Sequence, residues 1–344
     1  MEYKTPIAHL NLILGGSGIQ IPSIIEFFGS ENSAKSTLAQ FLAIHFLKSF
    51  SQSKLFYINS EFKLDEKRFD YIMFNNGIDK KQYEIWPNNI LEDIGQELEK
   101  RLKEAELDEV PLLITWDSVA NVKSKDSSGA GYSGAKDAAM ISSMLSNISE
   151  LLYKTNSHLL VINQVRDNLG GKGFRTPKGR ALKHLAVIRC KLQCEKKVMK
   201  KVDGVEIEDG IVVNVKTEKN QLFIPRLNTK LYIQNETGVN VSASIHEVCK
   251  AFNIFSSAGA WTSFKYGDYN FKWRGITEFA DLLAANEELL ELLSYLLIKK
   301  YSGISHLVKI KLIDDLWRLE DKFGFEKTEL TDKEKEMLEH SKGM

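Results

Sequence analysis

A run of small and polar residues joins an apolar stretch to a helical pattern near the N-terminus. The apolar stretch covers residues 24–28, and the run at 29–37 follows it directly. This is the spacing of a P-loop, in which backbone N–H groups and a helix N-terminus form a nest for phosphate oxygens. There Lys35 would reach the β- and γ-phosphates, and the Ser36 hydroxyl would ligate Mg²⁺. The predicted phosphate-binding residues are Gly29, Ser30, Glu31, Asn32, Ser33, Ala34, Lys35, Ser36 and Thr37.

Ala34 departs from the P-loop pattern, because a glycine usually precedes the lysine. A methyl group fits there if the local φ is negative, but it would crowd the loop and weaken binding or turnover. The alternative interpretation is a polar strand-to-helix turn without a nucleotide. The apolar strand before the run and the helical pattern after it favour the P-loop.

Two acidic residues follow other apolar strands. Asp117 ends the strand at 112–116, as in a Walker B motif, where it would hold the water shell of magnesium. Many buried strands end in Asp, so this motif indicates a nucleotide site only in combination with the P-loop. Glu61 follows the strand at 55–58 and would orient or deprotonate the water that attacks the γ-phosphate. Its alternative role is that of an acid favoured by a helix N-terminal dipole.

Alternating strand and helix patterns predict an α/β fold with a mainly parallel sheet flanked by helices. The predicted strands are 24–28, 55–58, 112–116 and 159–162, and the predicted helices are 36–50, 65–74, 90–106 and 135–154. Between 185 and 235 the pattern changes to strands joined by turns, with turn signals at Asp203-Gly204 and Asp209-Gly210. We expect these strands to extend one edge of the sheet in antiparallel fashion.

After about residue 241 the pattern becomes mainly helical and rich in aromatic residues. We therefore expect an ATPase-like core at 1–240 and a smaller C-terminal domain at 241–344. Its last part, 320–344, is charged and predicts a solvated helix or a frayed tail. The apolar residues 289–298 are too few for a membrane span, which needs about 20, and predict a buried helix.

The composition excludes a globally basic protein, because 46 Lys and Arg residues balance 46 Asp and Glu residues. Contact with nucleic acid would have to come from local basic loops. The N-terminus lacks a signal-peptide pattern, and the three cysteines form no CxxC pair. We expect a cytoplasmic protein whose cysteines are buried, reduced thiols, with no membrane partner.

Two glycine-rich segments without periodicity follow core strands, at 123–134 and 166–180. The second carries five basic residues against the single acid Asp167 and suits phosphate binding. Tyr132 and Phe174 could stack on bases. The alternative is two surface loops whose charges only maintain solubility. The predicted DNA-binding residues are Tyr132, Arg166, Lys172, Phe174, Arg175, Lys178 and Arg180.

The order of these motifs resembles the RecA family of recombinases. The resemblance includes residues 161–166 (Val-Ile-Asn-Gln-Val-Arg), 179–184 (Gly-Arg-Ala-Leu-Lys-His) and 258–261 (Ala-Gly-Ala-Trp), and it covers roughly 5–300. Ala34 and the run Ser60-Glu61-Phe62 resemble the phage branch, the UvsX-like recombinases.

The resemblance implies roles for further residues. Gln164 would sense the γ-phosphate and relay it to the DNA loop. Asp65 and Arg68 would contact adenine, although the family's aromatic residue is absent at position 68 unless Phe69 substitutes for it. Lys219 would enter the neighbouring subunit's ATP site, where the family's second lysine is replaced by Gln221. Only a few residues precede the region of resemblance, where the family carries a helix that docks on a neighbour.

The function thus implied is that of a DNA-dependent ATPase that uses ATP and Mg²⁺. It would form a helical filament on single-stranded DNA and promote pairing and strand exchange with homologous duplex DNA. One alternative is a motor ATPase of the same core, a helicase or branch-migration enzyme. The other is a DNA-binding protein with a degenerate nucleotide site. The predicted catalytic residues are Lys35, Glu61, Gln164 and Lys219.

Overall fold

The computed structural model describes residues 1–125, 133–167, 174–175 and 180–342, with backbone alone at 133–135, 166–167, 174–175, 180–181 and 341–342. The strands are β1 (Glu2–Tyr3), β2 (Ile19–Gln20), β3 (Ser23–Gly29), β4 (Lys54–Asn59), β5 (Tyr83–Trp86), β6 (Leu112–Asp117), β7 (His158–Gln164), β8 (Arg166–Asp167), β9 (Phe174–Arg175), β10 (Ile188–Val202), β11 (Val205–Asn220), β12 (Asn228–Gln234), β13 (Gly238–Asn240), β14 (Ser256–Ala258), β15 (Trp261–Tyr266) and β16 (Tyr269–Arg274). The α-helices are α1 (Ala8–Gly15), α2 (Lys35–Ser49), α3 (Glu66–Asn75), α4 (Leu91–Asp108), α5 (Ser133–Lys154), α6 (Arg180–Leu185), α7 (Val241–Ala251), α8 (Gly275–Ala285), α9 (Glu287–Ser302), α10 (His306–Phe323) and α11 (Asp332–Lys342).

One nine-stranded sheet organises the first 240 residues, in the order β13-β12-β11-β10-β3-β7-β6-β4-β5. The six strands from β10 to β5 are parallel, and β11, β12 and β13 continue the sheet in antiparallel fashion. The mainly parallel sheet and its antiparallel extension are confirmed. All four core strands are one to three residues longer than predicted.

Helices cover both faces of this sheet, because its central strands are apolar on both sides. On one face, Leu10 of α1, Leu42 of α2 and Phe69 of α3 belong to a single buried cluster with the strands. On the other face, Leu98 of α4 and Leu145 of α5 belong to a second cluster. The carboxyl ends of β3, β4, β6 and β7 therefore meet at one edge of a rigid platform.

The two turn signals in the antiparallel region have different outcomes. Asp203 and Gly204 both have positive φ, of 50° and 85°, and form the predicted turn between β10 and β11. The turn predicted at Asp209-Gly210 is wrong, because both residues lie within β11. A Cβ atom at Gly210 would come within 2.0 Å of the Ile233 carbonyl oxygen, so this glycine permits close strand approach instead.

The C-terminal part contains helices α7 to α11 around a third apolar cluster, and α9 is the predicted buried helix. The prediction of a mainly helical region is wrong for the aromatic stretch, which forms a three-stranded antiparallel sheet of β14, β15 and β16. Phe264 and Trp273 point inward and are buried, while Trp261 is exposed. Buried and exposed side chains alternate along these residues, as they do in a β-strand and not in a helix.

The described part of the charged segment, 320–342, is only partly solvated. Glu320 is fully buried at the end of α10 and accepts hydrogen bonds from the Thr328 backbone N–H (2.8 Å) and hydroxyl (2.5 Å). Glu334 of α11 is also buried and accepts from Lys309 Nζ (2.9 Å). Buried acids accepting hydrogen bonds hold this segment to α10, so it is not simply a frayed tail.

The cysteines also differ from expectation in one case. Cys190 and Cys249 are buried, whereas Cys194 is exposed, and all three are free. Within the part of the chain that the structure describes, no helix is both long and apolar enough to cross a membrane.

Candidate nucleotide-binding site

The P-loop lies between the end of β3 and the start of α2. Lys35 is the first residue of the helix, and its Nζ folds back to donate to the carbonyl oxygens of Gly29 (3.2 Å) and Ser30 (2.6 Å) and to Ser33 Oγ (3.3 Å). Burial lowers the pKa of Lys35, and the carboxylates of Asp117 and Glu61 act in the opposite direction. A cation is thereby held over the loop at a helix N-terminus, where phosphate oxygens are favoured.

Ala34 does not meet the condition under which its methyl group would fit easily, a negative φ. Its φ is 60° and its ψ is 28°, so this alanine adopts the left-handed conformation in which glycine is ordinarily found. The neighbouring Asn32 also has a positive φ, of 57°. The loop keeps the shape that a glycine would allow and bears the cost of a Cβ atom in that shape.

Asp117 lies at the end of β6 and accepts two hydrogen bonds on the same oxygen. Ser36 Oγ donates to Asp117 Oδ2 at 2.5 Å, and the Tyr57 hydroxyl donates to it at 2.7 Å. Burial raises the pKa of the Asp117 carboxyl, and these two donors oppose that effect. The structure therefore brings together the two residues predicted to hold magnesium, and Tyr57 joins them.

Magnesium fits this pair of oxygen donors. Ser36 and Asp117 supply hard oxygen atoms beside the P-loop, which suits a cation that keeps several waters and binds phosphate oxygens. Among the described residues, no group of three or more His, Cys, Asp or Glu side chains could hold a metal by itself. A metal here would have to share its coordination with nucleotide and water.

Glu61 and Gln164 are in direct contact. Gln164 Nε2 donates to Glu61 Oε1 at 2.7 Å, and Ser118 Oγ donates to the same oxygen. Helix α3 begins only at Glu66, so Glu61 is not at a helix N-terminus and its alternative role is not supported. The geometry joins the predicted water-orienting acid to the predicted γ-phosphate sensor.

Asp65 and Arg68 lie at the start of α3. Asp65 caps the helix by accepting from the Arg68 backbone N–H at 3.1 Å, and Arg68 Nε donates to the Asn235 carbonyl oxygen at 2.8 Å. Phe69 cannot substitute for the missing aromatic residue, because it is 2% exposed and packs against Tyr57. The family's adenine contact would have to come from Asp65 and Arg68 without a stacked ring.

A cleft of about 710 Å³ brings most of these residues together. It is lined by residues 31–37 of the P-loop and by Glu61, Asp65, Arg68, Asp117 and Gln164. It also reaches Cys194, Lys197 and Glu208 of the β10–β11 hairpin, as well as Asn235. These four residues and Tyr57 were not predicted from the sequence, because nothing in their local pattern indicates which distant strands lie beside the cleft. A second cavity, of about 640 Å³ beside β4 and α4, contains none of the predicted residues.

Lys219 does not join the P-loop of its own chain. It pairs with Arg189 in the sheet, and Arg189 pairs with Glu26, three residues before the end of β3. Its Nζ donates to the carbonyl oxygens of Lys183 (3.1 Å) and His184 (2.9 Å) in the last turn of α6. Any contact of Lys219 with nucleotide would therefore have to involve another subunit.

The second glycine-rich segment begins next to the nucleotide cleft. The Val165 N–H donates to the Gly29 carbonyl oxygen at 3.3 Å, and β8 then pairs with β9, joining Arg166 to Arg175 and Asp167 to Phe174. Arg180 is the first residue of α6. Tyr132, Lys172 and Lys178 lie outside the described residues, and the DNA-binding roles of all seven residues stay predictions.

Comparison with known proteins identifies the family. A model of the RecA N-terminal domain matches residues 3–240. The Protein RecA of Aquifex aeolicus is 29% identical over 265 residues, covering 75% of this chain and 72% of the relative. Protein RecA of Thermus aquaticus is 28% identical over 289 residues, covering 82% and 80%, and that of Clostridium botulinum (strain Eklund 17B / Type B) is 28% identical over 275 residues, covering 77% and 72%. The match to the domain extends over more than half of the chain and contains the whole nine-stranded sheet, so this chain belongs to the RecA family of recombinases.

Proposed function

We propose that this protein is an ATP-dependent DNA recombinase that forms a filament on single-stranded DNA and promotes pairing and strand exchange with a homologous duplex. The hydrogen bond between Glu61 and Gln164 supports this proposal most directly. It joins the acid next to the predicted phosphate site to the strand that leads into the basic second loop. A change at the γ-phosphate can thus alter the position of residues predicted to hold DNA.

The nucleotide would be held by the P-loop, with Lys35 against the β- and γ-phosphates and Ser36 and Asp117 holding Mg²⁺. The metal would neutralise phosphate charge when bound. Glu61 would orient the attacking water, and Gln164 would report the presence of the γ-phosphate. Asp65 and Arg68, which also line the cleft, would contact the base.

Assembly and DNA binding complete the proposal. Lys219 would enter the ATP site of the adjacent subunit and stabilise charge there. The residues Tyr132, Arg166, Lys172, Phe174, Arg175, Lys178 and Arg180 would hold the backbone and stack on bases of a single strand. Base pairing would then supply specificity, because phosphate contacts carry no sequence information.

Three finer assignments accompany this proposal. The chain would divide near residue 240, where the match to the RecA N-terminal domain ends. Ala34 and the Ser60-Glu61-Phe62 run support the phage branch of the family. We also propose a cytoplasmic location.

Replacement of Lys35 tests the P-loop assignment. Lys35→Ala removes the cation that lies over the loop, and we expect DNA-stimulated ATP hydrolysis to fall at least 100-fold, on the order of 3 kcal/mol of transition-state stabilisation. The matched control is Lys103→Ala, which removes an exposed lysine of α4 that forms an ion pair with Glu99. Retained hydrolysis in Lys35→Ala would contradict the assignment, and hydrolysis absent from the wild-type protein would favour a degenerate nucleotide site.

A further inference from the structure

Tyr57 occupies a position fixed by the register of the parallel sheet. It pairs with Thr115 of β6, and two residues further along Asn59 pairs with Asp117. Side chains two residues apart in a strand point to the same face, so Tyr57 lies on the same face of the sheet as Asp117. It is on the neighbouring strand, two residues before the position that pairs with Asp117. A phenol is long enough to span this offset, and the hydroxyl reaches Asp117 Oδ2 at 2.7 Å.

Core packing holds the Tyr57 ring in place. The side chain is 1% exposed, and its ring meets Phe69 of α3 edge to face, with centroids 5.3 Å apart. A fully buried aromatic ring has few alternative rotamers in a close-packed interior. The hydroxyl is therefore a fixed donor that points at one carboxylate oxygen.

Ser36, the other donor to that oxygen, would also bind magnesium in the proposed function. Its hydroxyl donates to Asp117 at 2.5 Å and is the predicted magnesium ligand. A hydroxyl oxygen that turns toward a cation cannot keep the same hydrogen bond at full strength. Of the two donors, Tyr57 alone is free of this conflict, because its ring is anchored in the core.

We infer that Tyr57 is a positioning residue, which holds the Asp117 carboxylate in place for the metal while Ser36 changes partner. The inference rests on the proposed function, because it requires Ser36 and Asp117 to hold a metal together with nucleotide. Loss of the hydroxyl should weaken metal binding and leave the phosphate loop intact. The Lys35 contacts to Gly29 and Ser30 do not involve Tyr57.

Tyr57→Phe tests this inference, with Tyr3→Phe as the matched control. Both tyrosines are 1% exposed, but the Tyr3 hydroxyl has no hydrogen-bond partner among the described residues. The probes are Mn²⁺, followed by electron paramagnetic resonance, and a fluorescent non-hydrolysable ATP analogue. The affinity of the analogue is measured first in EDTA, and the affinity of the analogue complex for Mn²⁺ is measured second.

We expect Tyr57→Phe to weaken Mn²⁺ binding about ten-fold, the usual scale for a hydrogen bond to a charged group. Tyr3→Phe should stay within about two-fold of the wild type, and both variants should bind the metal-free analogue like the wild type. Unchanged Mn²⁺ affinity in Tyr57→Phe would overturn the inference. Equal loss of metal-free analogue binding would also overturn it, because Tyr57 would then support the whole site. A wild-type protein that binds no analogue would instead refute the proposed function.

Discussion

At the scale of single residues, Ala34 shows that the P-loop conformation does not depend on the usual glycine. Its φ of 60° places a Cβ atom in a region that costs an L-residue about 1–2 kcal/mol. The surrounding contacts of Lys35 with Gly29 and Ser30 keep the loop in this shape. The alanine thus stores strain at the site that would hold phosphate.

We expect Ala34→Gly to raise the free energy of unfolding by up to about 1 kcal/mol, because glycine adopts the left-handed conformation at little cost. Urea denaturation measures this change. The control is Ala139→Gly at an exposed position inside α5, which should lower stability by roughly 0.5–1 kcal/mol. Destabilisation by both substitutions would show that Ala34 is unstrained.

His158 is a buried histidine that makes stability depend on pH. Burial lowers its pKa from 6.5 to about 3, and its Nδ1 lies 2.9 Å from the Ser23 carbonyl oxygen. Between those two pH values the unfolded chain binds a proton that the folded chain does not. The free energy of unfolding should therefore fall as the pH drops from about 6.5 toward 3.

His158→Asn keeps an N–H donor and removes the titration. Around pH 5 we expect the slope of unfolding free energy against pH to become shallower by about 1.4 kcal/mol per unit, the value for one proton. Part of the slope will remain, because burial also lowers the pKa of His9 to about 3. Denaturant titrations at a series of pH values measure both slopes, and equal slopes would refute this account of His158.

At the scale of elements, a buried ion pair ties together the strands that lead to the site. Arg189 Nε of β10 donates to Glu26 Oε2 of β3 at 2.5 Å, and Asn163 Nδ2 of β7 donates to Glu26 Oε1 at 2.9 Å. Glu26 is fully buried. Strand β3, which leads into the P-loop, and strand β7, which ends at Gln164, are thereby fixed to one carboxylate.

Arg189→Met should destabilise the fold by about 3–5 kcal/mol, because it leaves a buried carboxylate without its cation. The double variant Glu26→Gln with Arg189→Met should recover part of that loss, since an amide is cheaper to bury than an unpaired charge. Thermal and urea unfolding of the two variants test this. A double variant less stable than Arg189→Met would argue against charge as the cause.

Sequence patterns predicted the elements with strong periodicity. They failed for residues whose role depends on contacts with strands that are distant in the sequence. The core strands, the P-loop and Asp117 follow from apolar runs that end in polar residues. Gly210 was misread as a turn, because only its contact with the Ile233 carbonyl oxygen reveals a close strand approach. Tyr57 was missed for the same reason, since its function depends on the register between β4 and β6.

At the scale of the whole molecule, the predicted nucleotide residues lie at the sheet edge from which the predicted DNA segment begins. Because the net charge is zero, the proposed attraction for DNA would have to be local, and the basic segment 166–180 begins two residues after Gln164. Lys219 contacts α6 and not its own P-loop, so its proposed contact with nucleotide would need a second copy of the chain. Nucleotide binding, assembly and DNA binding would thus be coupled.

The most direct test of this coupling is the affinity for single-stranded DNA with and without a non-hydrolysable ATP analogue, at fixed salt. We expect the analogue to raise the affinity of the wild type at least ten-fold, or about 1.4 kcal/mol, within the usual range of allosteric coupling. Gln164→Ala, which removes the hydrogen bond to Glu61, should lose this increase, while Gln96→Ala on the exposed face of α4 should keep it. An equal increase in Gln164→Ala and the wild type, or none in the wild type, would contradict the account.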